Sequence, residues 1–162
     1  MSEKETLTLI TKLEKGRAEF AYKCALEGKS ILQKIEINGE FYEDDKYKSY
    51  VKKIPSMILS NGLGQTLAFI CAKRKKGKDE KKPGSEGNPK NAYDLIYKQL
   101  TDYLKSDSTA RIRMPEDQNE LIEWVISLDS YNYRYVTEEV LAFLNWLKKF
   151  AEGMIEGEGG EE

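Results

Sequence analysis

Histidine is absent from this 162-residue chain, and with it go the commonest general base and the commonest metal ligand of proteins. Nucleophilic catalysis by a Ser–His or Cys–His pair is thereby impossible within the chain. Cysteine is scarce: Cys24 and Cys71 are the only two. With no signal-peptide pattern ahead of them, two scattered thiols read as reduced small hydrophobes rather than a disulfide. No apolar run approaches the roughly 20 residues that span a bilayer, so a soluble, cytoplasmic protein is expected.

Other motifs are also missing. Gly77-Lys78 is followed by Asp79 and lacks the upstream glycine of a P-loop. Gly62-Leu63-Gly64 resembles part of a dinucleotide loop, but it lacks the third glycine and a preceding strand, which fits two glycines opening a helix against a close neighbour. Asp44-Asp45 and Glu138-Glu139 are adjacent carboxylates. Neighbours on a helix point in different directions, so they read as helix-start charges rather than an acid/base pair. We expect no enzyme, no metal site and no cofactor.

Charge is abundant and unevenly placed. The net charge is −2, yet residues 46–90 carry 12 Lys/Arg against 3 Asp/Glu, a balance of +9, while residues 114–162 carry 3 against 12, or −9. Such blocks let one side of a protein meet a polyanion and another side meet a protein neighbour; alternatively, both are solvated helix faces.

Apolar periodicity predicts an all-α, single-domain bundle of five to seven helices. Length is sufficient for one self-sustaining core. A first helix runs from a Thr6 or Thr8 cap to about Glu27, with Ile10, Leu13, Phe20, Ala21 and Cys24 on one stripe, and Gly28 as C-cap. Arg17 interrupts that stripe, either snorkelling at its edge or forming part of a site. After it, Asn38-Gly39 predicts a turn without a sheet. Asp44 or Asp45 caps a helix through Tyr47, Tyr50, Val51 and Ile54, with a kink or restart at Pro55. Leu63, Leu67, Ile70 and Cys71 line the next helix.

A helix from about Pro89 to Lys105 follows, then one from 114–117 to Leu128 with acids in its first turn. The last helix carries Val136, Val140, Phe143, Leu144, Leu147, Ala151 and Met154 on its buried stripe, with Thr137 as cap. Residues 1–156 form the domain, interrupted by a mobile basic loop at about 73–91, and residues 157–162 form a disordered acidic tail. In the run Tyr131-Asn132-Tyr133-Arg134-Tyr135, the rings either stack on bases or pack where the last two helices join. Alternate tyrosines cannot all share one helical face, which favours packing.

Two segments carry a family resemblance. They are Tyr50-Val51-Lys52-Lys53-Ile54-Pro55-Ser56-Met57-Ile58-Leu59-Ser60-Asn61-Gly62-Leu63-Gly64-Gln65-Thr66-Leu67-Ala68-Phe69 and Tyr135-Val136-Thr137-Glu138-Glu139-Val140-Leu141-Ala142-Phe143-Leu144-Asn145-Trp146-Leu147-Lys148-Lys149-Phe150-Ala151. Both resemble signature segments of the small subunit of the type III-B CRISPR RNA-guided silencing (Cmr) complex. The resemblance implies an all-helical, non-catalytic subunit in antiviral defence. It further implies several copies stacked head to tail and contact with guide and target RNA backbone; its partners would be the other Cmr subunits. A free-standing helical protein–protein adaptor without RNA binding is the alternative.

RNA contact is expected at Lys52, Lys53, Lys148 and Lys149, with Arg17, Lys23, Lys73, Arg74 and Arg134 as secondary candidates. Lysines on ordered helices avoid the entropy cost that loop lysines meet on becoming fixed. Without an ordered base-reading motif, such contacts suit phosphates, leaving specificity to guide pairing.

Overall fold

The longest apolar stripe of the sequence becomes the post around which the others gather. The structure, a computed structural model, describes residues 3–38, 46–74, 91–106 and 112–155. Among these residues there are six helices and no strand: α1 (Glu3–Asn38), α2 (Tyr47–Asn61), α3 (Leu63–Lys73), α4 (Ala92–Lys105), α5 (Leu121–Ser127) and α6 (Ser130–Met154). The fold is an all-α bundle, and none of these helices is long and apolar enough to cross a membrane.

At 25 residues, α6 extends for about 37 Å and packs against α1, α2 and α5, while α4 packs on α1, α2 and α3. Directions follow from side-chain contacts. Lys48 Nζ, early in α2, donates to the Ile155 carbonyl beyond the end of α6 at 2.9 Å. The Gly64 amide, just past α2, donates to the Tyr133 hydroxyl near the start of α6 at 2.7 Å. Thus α2 and α6 are antiparallel. α1 runs parallel to α6, since Arg17 reaches Glu139 and Tyr22 meets Phe150 further along. Between α1, α4 and α6 the rings of Phe20, Tyr103 and Phe143 close the core: Tyr103 stacks on Phe143 at 4.3 Å and Phe20 meets Tyr103 edge-on at 5.3 Å.

Several expected boundaries move, each for a visible reason. The first helix does not end at Gly28 but continues unbroken to Asn38, and Thr6 and Thr8 lie inside it. Gly28 is a contact rather than a cap, because the buried Tyr47 ring lies where a side chain would be. α2 opens at Tyr47 with Lys46 in the cap position and no side-chain capping bond. Asp44 and Asp45, like Gly39, lie outside the described residues. Pro55 causes no restart, since α2 is one helix with Pro55 buried inside it.

α4 begins at Ala92, capped by the Asn91 side chain on the Asp94 amide at 2.9 Å; Pro89 and most of the 73–91 loop lie outside the described residues. α5 is only seven residues long. Its expected first turn at 116–117 is instead a separate turn, where the Gln118 amide donates to the Pro115 carbonyl at 3.1 Å. α6 starts two turns earlier than Thr137, because Asp129 caps the Asn132 amide at 2.8 Å. Thr137 hydrogen-bonds the Tyr133 carbonyl one turn back at 2.8 Å, as threonines inside helices do. The acidic tail lies outside the described residues.

Candidate nucleic-acid interface

The antiparallel pairing of α2 with α6 brings lysines from two distant segments to one seam. Lys48 and Lys52 stand one turn apart on α2 and both face the end of α6. Lys48 holds the Ile155 carbonyl, and Lys52 Nζ lies 3.5 Å from Glu152 Oε2. Lys148 is one turn before Glu152, on the same side of α6, so it stands one turn from the seam that Lys48 and Lys52 line. Lys149 is exposed on the next face. The Lys52–Glu152 pair is partly solvated and worth at most about 1 kcal/mol, so a phosphate can take over that lysine at small cost.

A second group forms around three rings. Tyr50 of α2 stacks on Tyr93 of α4 at 3.9 Å, and Phe69 of α3 meets Tyr93 edge-on at 5.7 Å. Lys53 lies over Tyr50, its Nζ 5.1 Å from the ring centre, and Lys73 over Phe69 at 5.7 Å. Both lysines are exposed, and both are held near one aromatic cluster by cation–π attraction. The sequence separates them by a whole helical hairpin; the fold gathers them.

The arginines behave differently. Arg17 Nε and Nη2 donate to the two Glu139 oxygens at 2.9 and 3.2 Å, and Nη1 reaches Glu14 at 3.3 Å. The Tyr103 hydroxyl donates to the same Glu139 carboxylate. The Glu139 hydrogen bond raises the Arg17 pKa against the opposing effect of burial. Burial, then the Glu139 bond, pushes the Tyr103 phenol up. Arg74 Nε donates to Asp94 at 2.8 Å, and its guanidinium lies 4.1 Å above the Tyr97 ring. Burial works against its charge, but Asp94 outweighs that and its pKa is raised. Both arginines are thus matched inside the protein by acids. Lys23 is exposed on α1 and Arg134 on the first half of α6, the latter 14 residues and about 21 Å along the helix from Lys148.

Two features were missed from sequence. Glu139, read as a helix-start charge, is a buried ion-pair partner. The signal was available: Glu139, Phe143 and Leu147 are successive i,i+4 positions, so an acid interrupts the α6 stripe just as Arg17 interrupts that of α1. Lys48 was also overlooked, since only the tertiary fold shows where its ammonium goes. The tyrosine run divides: Tyr133 packs at the α3–α6 junction, whereas Tyr131 is exposed and meets Tyr135 edge-on at 4.9 Å.

Fold and surface together define a small all-helical protein with a basic face along α2 and the second half of α6, and with its buried charges internally paired. The family model of CRISPR-associated protein (Cas_Cmr5) matches residues 13–154, and the chain belongs to that family. It is 27% identical over 111 residues, 68% of this chain and 76% of the relative, to the CRISPR system Cmr subunit Cmr5 of Thermus thermophilus. The crystal structure of a CRISPR-associated Cmr5 family protein from Thermus thermophilus is also similar, with a TM-score of 0.57 and 27% identity over 88% of this chain and 97% of that one. The family resemblance drawn from residues 50–69 and 135–151 is borne out.

Proposed function

We propose that this chain is the non-catalytic small subunit of a type III-B Cmr effector ribonucleoprotein, acting in the cytoplasm in antiviral defence. In this reading several copies line the complex beside the other Cmr subunits, and each contacts the backbone of guide or target RNA. The observation that carries it is Lys52 set against Glu152 across the α2–α6 seam, with Lys148 one helical turn from Glu152 and with Lys53 and Lys149 exposed nearby. Lys73 joins Lys53 at the aromatic cluster. Ammonium groups on ordered helices suit phosphates, which carry no base information. Arg17 and Arg74 support the bundle in this reading, and Lys23 and Arg134 contribute only to the surrounding field.

The test is the affinity of the assembled complex for matched target RNA across a salt series. Lys52→Ala/Lys53→Ala and Lys148→Ala/Lys149→Ala should each lower the salt slope by about one to two units and weaken all target sequences alike. Unchanged slopes in both, with assembly intact, would return these lysines to the solvated-face reading and favour an adaptor that does not touch RNA.

The purified chain should hydrolyse no RNA, with or without divalent metal. Metal-dependent cleavage that copurifies with it and vanishes on mutating one of its carboxylates would overturn the non-catalytic assignment.

A further inference from the structure

The described residues end on the basic seam. Ile155 is buried, its amide donates to the Ala151 carbonyl at 3.0 Å, and its carbonyl accepts from Lys48 Nζ at 2.9 Å. The backbone at Ile155 is extended, so the next residues leave α6 against Lys48, one helical turn from Lys52. They are Glu156-Gly157-Glu158-Gly159-Gly160-Glu161-Glu162, four glutamates and three glycines with no base and no apolar side chain. Such a segment adds nothing to a core and brings four negative charges to this exit.

The surface at the exit has the opposite sign. α2 carries Lys48, Lys52 and Lys53 and no acid. On α6 no Asp or Glu stands between Glu139 and Glu152, while Lys148 and Lys149 do. Among these described residues Glu152 is the acid beside the exit, and Lys52 already engages it at 3.5 Å. Distances suit a contact within one copy. Glu158 and Glu161 are three and six residues past Ile155, a reach of roughly 10 and 20 Å. Lys52 is about 6 Å along α2 from Lys48, and Lys148 about 10 Å back along α6 from Ile155. Gly157, two residues past Ile155, lets the chain reverse toward them.

We infer that residues 156–162 fold back on the α2–α6 seam, their carboxylates standing where RNA phosphates bind. The inference rests on the reading that Lys52 and Lys148 contact RNA, and adds the regulation of that site by a tethered competitor. Attachment a few residues away holds the carboxylates at an effective concentration in the millimolar range. Each exposed Glu–Lys contact is weak by itself. Scattered, low-affinity RNA is therefore kept off the free subunit. RNA held in place by a complex, with several phosphates in register, displaces the segment.

Two measurements on the full chain separate this inference from the RNA-contact reading. Without RNA, amide nuclear magnetic resonance spectra of the wild type and of Glu156→Gln/Glu158→Gln/Glu161→Gln/Glu162→Gln should differ at Lys48, Lys52 and Lys148. The differences should fade with added salt. They should stay the same from about 50 μM to about 500 μM protein, as a contact within one copy requires. With a fluorescein-labelled single-stranded RNA at about 50 mM salt, the quadruple variant should bind about three- to tenfold tighter than the wild type. That gap should close by about 0.5 M salt, and on a Lys48→Gln/Lys52→Gln background the gain should vanish. Spectra that match at the seam, shifts that grow with protein concentration, or a gain that persists on that background would each overturn the inference. Seam shifts with an RNA affinity that neither set of substitutions moves would uphold the folded-back segment and sink the RNA-contact reading on which its competitor role rests.

Discussion

Glu139→Ala should cost the bundle about 3–5 kcal/mol, because it strips the main counter-ion from a half-buried cation and the acceptor from a buried phenol rather than merely deleting a contact. The Glu139 carboxylate is the acceptor for both forks of Arg17 and for the Tyr103 hydroxyl, and the Arg17 and Glu139 side chains are only 17% and 9% exposed. Without it, the Tyr103 phenol has no acceptor and the guanidinium keeps only the more exposed Glu14 on Nη1, so much of the desolvation of both is uncompensated. For a chain of this size the loss corresponds to a fall in Tm of roughly 6–20 °C. Replacing the whole network at once, Arg17→Met and Tyr103→Phe with Glu139→Leu, should be close to neutral or stabilising, since it removes the cost of burying its polar groups. Urea unfolding, with midpoint and slope fitted separately, measures all three. A single-variant loss below about 1 kcal/mol would mean that water reaches the pair and that it is an ordinary surface bridge.

That pair also marks where sequence reading stopped. The stripes of α3 and α6 were legible because their apolar residues recur at helical spacing, and of the positions read there all but Cys71 and Met154 are buried. Boundaries were less so, since a capping side chain is one of several that local sequence offers: Asp129 and Thr137 are both competent caps, and only the packing of Tyr133 against the α2–α3 turn selects the earlier one. Gly28 was misplaced for the same reason. A glycine at the end of an apolar stripe usually stops a helix, and nothing local reveals a ring from residue 47 lying against it.

The candidate interface was half legible. Adjacent lysines are visible in the sequence. Whether they share a face depends on α2 running antiparallel to α6, which is a tertiary fact. Conversely, Arg17 and Arg74 read as available cations because their acids are distant in sequence or hidden in another stripe. A charge inside an apolar stripe is best matched first with an opposite charge inside another stripe, before any ligand is considered.

Gly28→Ala should destabilise the protein by about 2–3 kcal/mol, reversing the sign expected for a glycine inside a helix. In an open helix the change would gain about 0.5–1 kcal/mol. Here the new Cβ would overlap Tyr47 Cε2 and lie 2.7 Å from Cδ2 and 2.9 Å from Cζ, and the ring has nowhere to go. Tyr47 is 1% exposed, and its hydroxyl donates to Gln99 Oε1 at 2.6 Å. Gln99 Nε2 is in turn bonded to the Cys24 carbonyl and to Glu27 Oε1, each at 3.0 Å. Moving the ring therefore costs packing strain and part of a buried hydrogen-bond network together. The decisive comparison is Gly28→Ala made on a Tyr47→Ala background, where the obstructing ring is gone and the same change should become neutral or stabilising by up to about 1 kcal/mol. If Gly28→Ala destabilises equally on both backgrounds, the cost lies in the α1 backbone and not in the Tyr47 ring. If it stabilises the wild type, the ring is free to shift and the tight α1–α2 approach is not a constraint on the fold.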